Sequence, residues 1–274
     1  MGSERGGLNM RRMAARTIGV GLSAGLLLGV GFGTTGISEA SATSSTAPCT
    51  SASYALTINV SAPASTWLIS VNGQVDFVNH AATASLTLPS TLPFAPLAGA
   101  TLQAELVGGT AYLAIPPAFS GFLGGASWVS VVLPSALSMG LNTVLDQGAA
   151  WCANSKSIVL ALGSHGGVTT SLGSSTVNSE SATGVKIQQV GKRIPRALKL
   201  PHILSKKSMS VFGNSRMPVE VWSNGQGQLV NLSIDGLGGS ITLNLTSVNQ
   251  PVTIMPPSGA VPLSPGFLKL LGLM

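Results

Sequence analysis

Gly163-Ser164-His165-Gly166 sets a hydroxyl nucleophile beside an imidazole base, the two groups from which a hydrolase builds an acyl-enzyme. A working nucleophile of that kind sits on a strand-to-helix elbow of the form Gly-x-Ser-x-Gly, and its base arrives from elsewhere in the fold. That context is missing here, so a turn is the expected reading of the segment. The acids of the chain beyond its first 42 residues are Asp76, Glu105, Asp146, Glu180, Glu220 and Asp235. They fall in separate segments with no spacing that would pair two carboxylates for general acid and base work. His80, His165 and His202, with Cys49 and Cys152, show no metal-ligand spacing. There is no phosphate loop and no dinucleotide fingerprint, and the 34 glycines are assigned to turns. The expectation is a protein without catalysis, cofactor or metal.

The elements that would hold a site are strands. Tyr54 to Val60, Trp67 to Phe77, Ala84 to Leu88, Leu102 to Val107 and Tyr112 to Ile115 alternate apolar and polar residues. So do Pro218 to Trp222, Leu229 to Ile234 and Ile241 to Leu245, before the chain reaches Pro251-Val252-Thr253-Ile254-Met255-Pro256-Pro257. Alternation of period two broken by Asn72-Gly73, Gly108-Gly109 and Asn224-Gly225 describes an antiparallel meander with one apolar face. Leu102, Ala104 and Leu106 share that face, while Gln103 and Glu105 point the other way. Trp128 to Leu133 adds a short strand. A second β region begins near Val168 and includes Val185 to Val190.

Between the two β regions the period changes. Leu137, Leu141, Val144 and Leu145 form the stripe of an amphipathic helix that Pro134 opens. Such a helix is placed to cover a sheet's apolar face, and Ser157 to Leu162 continues the cover as a helix or a strand. Ile115 to Leu123 is a Pro- and Gly-rich apolar segment, read as a loop tucked on the core or as the lip of a cavity.

Only 8% of the 274 residues are charged and 45% are hydrophobic. Arg11, Arg12 and Arg16 precede an apolar run from Ile18 to Phe32, and Ala40-Ser41-Ala42 offers a small-residue cleavage site, so residues 1–42 read as a secretory signal peptide. Residues 43–53 read as a disordered spacer. Cys49 is not preceded by a lipidation-type sequence, which makes a lipid anchor doubtful. In an exported chain Cys49 and Cys152 can form one disulfide, or remain one buried and one free thiol.

Beyond the leader, ten basic residues stand against six acidic ones. The excess is concentrated in Lys192, Arg193, Arg196, Lys199, Lys206 and Lys207, interleaved with Leu198, Leu200, Ile203 and Leu204. Such a segment is either a plain solvated surface or a patch for anionic head groups and membrane surfaces. No recognised nucleic-acid module accompanies it. Residues 258–274 form an apolar tail too short to span a bilayer.

Three blocks carry a resemblance: Gly73-Gln74-Val75-Asp76-Phe77; Gly109-Thr110-Ala111-Tyr112-Leu113 followed by Trp128; and Pro218-Val219-Glu220-Val221-Trp222 leading to Pro251-Val252-Thr253-Ile254. Across residues 54–257 the chain resembles the actinobacterial secreted and lipoprotein carriers, typified by the mycobacterial lipid-binding lipoproteins and distantly related to the periplasmic lipoprotein carrier. The resemblance implies an α+β fold, a strongly curved antiparallel half-barrel with helices over its concave apolar face. It also implies a carrier of lipid or acyl chains in the cell envelope. The candidate lining residues are Leu102, Leu106, Leu113, Ile115, Ile187, Val221, Val230, Leu232, Ile241 and Leu243, each of which fits a filled core equally well. A protein-interaction or sensory module of the same fold, without lipid cargo, is the alternative.

Overall fold

A computed structural model describes residues 47–62, 65–90, 98–121, 124–198, 213–236 and 239–263. The expected leader, Lys199, Lys206, Lys207 and most of the tail lie outside them. The first half of the chain is a meander of β1 (Ser51–Ala62), β2 (Ser65–Asp76), β3 (Ala81–Thr87), β4 (Thr101–Val107), β5 (Thr110–Ala114) and, after the short α1 (Pro117–Ser120), β6 (Trp128–Val132). Two helices follow, α2 (Ser135–Ala153) and α3 (Lys156–Ser164). The second half runs β7 (Val168–Val177), β8 (Glu180–Val190), a 3₁₀ turn (Gly191–Arg193), α4 (Ile194–Ala197), β9 (Arg216–Asn224), β10 (Leu229–Gly236), β11 (Gly239–Thr246) and β12 (Val261–Pro262).

Among the described residues all twelve strands belong to one open sheet, ordered β12-β6-β5-β4-β3-β2-β1-β11-β10-β9-β8-β7. Its pairs are antiparallel except β12 with β6. The fold is the expected α+β half-barrel. Each half is a sequential meander, and β1 joins the halves by pairing with β11 from Ser53↔Thr246 to Val60↔Gly239. The tip of the β7–β8 hairpin bends back across the sheet, where the Asn178 side-chain amide donates to the Val230 carbonyl at 3.0 Å and to the Leu245 carbonyl at 3.5 Å.

Registers align the apolar face in transverse rows, because directly opposed residues point the same way. One row crosses eight strands as Val185, Val221, Leu232, Leu243, Leu56, Val71, Leu86 and Leu102. Every member is aliphatic. A parallel row runs Ile187, Val219, Ile234, Ile241, Ile58, Ile69.

The helices cross this face because β6 and β7, consecutive among the strands, occupy different ends of the sheet order. α2 follows the end formed by the β2–β3, β4–β5 and β9–β10 turns. His80 Nε2 lies 2.9 Å from Asp146 Oδ1, Phe77 packs on Gly148, and Cys49 is bonded to Cys152 across 5.9 Å between Cα atoms. At its far end Ser155, fully buried, receives the β9–β10 turn through its backbone and hydroxyl bonds to the Gly227 carbonyl, 3.1 and 3.0 Å. Leu141, Val144 and Leu145 of the expected stripe are buried, but Leu137 in the first turn is 45% exposed.

Two expectations are corrected. Asn72-Gly73 is not a turn but lies within β2. The glycine is required there because Tyr54, its cross-strand partner, lays its ring over it and donates from its hydroxyl to the Thr83 carbonyl at 2.8 Å. A Cβ at position 73 would fall 2.0 Å from that carbonyl oxygen. The first strand starts at Ser51 rather than Tyr54, and Cys49 before it is buried, held by the disulfide and by its amide on the Ala149 carbonyl. Beyond β11 the described residues 251–257 form no strand, and Val261–Pro262 rejoins the sheet. Gly108-Gly109 is the β4–β5 turn as read, with φ of 56° and 75° at its two glycines.

The disulfide closes a loop of 103 residues. Replacing both cysteines by alanine is expected to cost about 4 to 5 kcal/mol in the chain-entropy account, read as a lower urea midpoint with a steeper slope, because the unbridged unfolded chain exposes more surface. Burial pushes the Tyr54 phenol well above its ordinary range. The unfolded chain releases that proton near its usual pKa of about 10 while the folded protein retains it, so stability is intact below about pH 10 and declines above it. Urea titrations on either side of that pH should show the decline in the wild type and a flatter alkaline limb in Tyr54→Phe.

Candidate functional site

The row of β-branched residues across β8, β9, β10, β11, β1 and β2 is covered at one end and open at the other. Ile187 and Val219 are completely buried, beneath α3, whose Ile158 and Leu162 are also fully buried. Ile234 keeps 7% exposure, and Ile241, Ile58 and Ile69 are only half-buried. Among the described residues α3 packs on β8 and α2 on β10, while the strip at β11, β1 and β2 keeps part of its surface accessible. The open strip lies at the end of the half-barrel away from α2. Leu102 and Leu243 in the adjoining row are half-buried as well.

The candidate lining residues divide accordingly. Leu106, Ile187, Val221 and Leu232 are buried members of the core. Leu102, Ile241 and Leu243 pack against that core while keeping part of their surface accessible. Leu113 shares the inner face next to Ala104 and Val129 but is half-buried near the β6 edge. Ile115 lies past the end of β5, its amide bonded to the Ser127 carbonyl. Val230 sits at a β-bulge between Leu229 and Asn231.

Val230 and Leu245 floor a separate recess of 490 Å³ between the β7–β8, β9–β10 and post-β11 turns, rimmed by Glu180, Asn224, Gln228 and Gln250. Its rim is polar, and part of its hydrogen-bonding capacity is spent internally. The Asn224 side-chain carbonyl accepts from the Gln226 and Gln228 amides at 3.1 and 3.0 Å, and its NH₂ donates to Gln228 Oε1 at 3.0 Å.

Two buried polar side chains escape the alternation pattern. Gln189 is fully buried on β8, where its Nε2 donates to the Leu162 carbonyl at 2.8 Å and its Oε1 accepts from the Val190 amide at 2.7 Å. It fastens the last turn of α3 to the sheet. Ser155 does the same at the other end of that helix. The sequence signals were a glutamine at an inward-facing strand position and a serine between two helical periods, neither distinguishable from a solvated residue without the partner.

Ser164 and His165 end α3. The Ser164 hydroxyl donates to the Ala161 carbonyl at 2.9 Å, and His165 Nδ1 lies 2.9 Å from the same oxygen. A carbonyl only accepts, so Nδ1 carries the proton and cannot act as base toward Ser164, 3.2 Å away. Both side chains satisfy a helix C-terminus. Among the acids, Asp76 holds the Val78 and Asn79 amides, and Glu220 lies 3.3 Å from Lys186. Burial raises the Glu105 carboxyl above its ordinary range.

Of the basic cluster, Lys192, Arg193 and Arg196 are exposed while Ile194, Pro195, Ala197 and Leu198 are buried. The short helical segment thus turns its apolar side to α3 and β8 and its cations outward. Arg193 Nη1 donates to the His165 carbonyl at 3.1 Å. Because β8 continues past Ile187 into this segment, the three cations stand at the same end of the half-barrel as the open isoleucine strip.

No family model and no curated protein matches the sequence. Among solved structures the chain is similar to the lipoprotein LppX of Mycobacterium tuberculosis, at 18% identity, covering 76% of this chain and 90% of that one, with a TM-score of 0.42. It is similar to LprF of Mycobacterium bovis at 15% identity, 77% and 90% coverage and a TM-score of 0.42. A putative outer membrane lipoprotein-sorting protein domain of Vibrio parahaemolyticus is similar at 10% identity, 72% and 83% coverage and a TM-score of 0.18.

The covered and open ends of the isoleucine row should answer differently to truncation. Ile187→Ala empties a fully buried site and is expected to cost about 2 to 5 kcal/mol, whereas Ile58→Ala and Ile241→Ala should stay near the lower end of that range. Denaturant midpoints of the three variants check the order.

Proposed function

We propose that the protein is an exported carrier of the cell envelope that holds the acyl chain of a lipid against the inner face of its half-barrel, without catalysing a reaction. The observation that carries this reading is the aligned strip Ile241, Ile58, Ile69, flanked by Leu102 and Leu243, which the described helices leave half-covered. The middle of the face is filled by Leu56, Val71 and Leu86, all at 4% exposure or less. The chain of a ligand therefore lies along the open end rather than through the centre. An apolar strip gains ~0.8 kcal/mol for each methylene it shields, on the order of 8 kcal/mol for ten before ordering costs. Affinity of this kind needs no special polar side chain.

Lys192, Arg193 and Arg196 stand at the same end, where they meet the anionic head group of the cargo or of the membrane that supplies it. Attraction of about 1 kcal/mol per cation near an anionic surface makes that approach dependent on salt. Similarity in outline to the lipoprotein LppX supports an extracytoplasmic location.

Native mass spectrometry of the mature chain purified from its own host is expected to show retained lipid, with Ile58→Asp/Ile241→Asp arriving empty though folded. Lys192→Gln/Arg193→Gln/Arg196→Gln should weaken sedimentation with anionic vesicles and leave behaviour with neutral vesicles unchanged. An empty wild-type protein that also fails to take up acyl chains from vesicles would sink the carrier reading.

A further inference from the structure

The two edges of the sheet are finished differently. At one, β12 pairs with β6 through Val261↔Val129 and Pro262↔Ser130, and the Leu263 amide adds a bond to the Ser130 carbonyl. At the other, β7 pairs, among the described residues, with β8 alone, and its first nine residues, Val168 through Thr176, are all exposed. An uncovered edge presents a row of free N–H and C=O groups, and proteins usually blunt such an edge with charge or proline. β7 contains neither.

Its sequence, Val-Thr-Thr-Ser-Leu-Gly-Ser-Ser-Thr-Val, is nearly the same in both directions. Laid antiparallel against a second copy about a two-fold axis between Leu172 and Gly173, it sets Val168 opposite Val177, Thr169 opposite Thr176, Thr170 opposite Ser175 and Ser171 opposite Ser174. Leu172 then covers Gly173 of the second copy. Hydroxyl-bearing and β-branched residues opposed in this way are favourable cross-strand pairs, and no like charges meet. Ten opposed pairs exchange about ten main-chain hydrogen bonds. The strand's irregularity, a bulge between Ser171 and Gly173, sits at the axis itself. The two-fold therefore maps it onto itself and preserves the register on both sides. A different partner has no reason to match a palindrome, whereas an isologous interface requires self-complementarity.

We propose that β7 is a homodimer edge, joining two half-barrels into one continuous sheet through antiparallel β7–β7 pairing centred between Leu172 and Gly173. Analytical ultracentrifugation of the mature chain across the micromolar range is expected to show a monomer–dimer equilibrium. Thr169→Lys/Thr176→Lys opposes lysine to lysine and should sediment as a monomer. Thr169→Lys/Thr176→Glu opposes lysine to glutamate in this register alone and should restore the dimer. Both sites are exposed, so matching thermal melts by circular dichroism verify that the variants fold. Hydrogen exchange gives a readout free of substitutions, with the β7 amides slowing as concentration rises and quickening on dilution. A wild type that stays monomeric, a dimer indifferent to the paired lysines, a failure of lysine and glutamate to restore association, or open filaments in place of a closed dimer would each overturn the proposal.

Discussion

The pairing of β1 with β11 governs the molecule. Each half of the chain is a plain meander, and either could have curled up separately. Joining the first strand to the last long one instead pushes β6 and β7 to far ends of a single sheet, so the segment between them has to traverse a face. A connection made of α2 and α3 does this with internally satisfied backbone and with Leu141, Leu145, Ile158 and Leu162 turned to the sheet. The helices are where they are because the strand order leaves them no other route.

That route is oblique. It closes the end where the β2–β3 and β9–β10 turns gather, then descends over β8, leaving β11, β1 and β2 partly uncovered at the opposite end. The polar bolts fall where the path needs anchoring. Ser155 fixes the bend between the helices, Gln189 fixes the last turn of α3, and Arg193 reaches its terminal carbonyl. Apolar packing sets which face is covered, and a few buried hydrogen bonds set how far the cover extends.

The strands were legible because alternation is written into residues such as Leu102, Ala104 and Leu106, whereas the half-barrel came from the family resemblance. The helix was legible from Leu141, Val144 and Leu145. What alternation lacks is a record of neighbours. Asn72-Gly73 looks like a turn until Tyr54 is placed across from it. The second β region was legible from Val168 onward, although Val168–Val177, rich in serine and threonine, has no apolar face because almost all of it is exposed. For the same reason the lining residues could be named but not sorted. Ile187 and Ile241 have the same character in sequence, and only the path of α3 makes one a core residue and the other part of an accessible strip.

The bridge between Cys49 and Cys152 bears on the order in which the chain assembles. Strand partners so remote in sequence meet slowly, and a polypeptide emerging amino-terminus first delivers both thiols well before residues 239–246. The bridge, once formed, therefore clamps the start of β1 to the end of α2 while the seam still lacks its other side. The exposed apolar margin of β1 is then held beside a helix during the interval in which it would otherwise seek a stranger's strand.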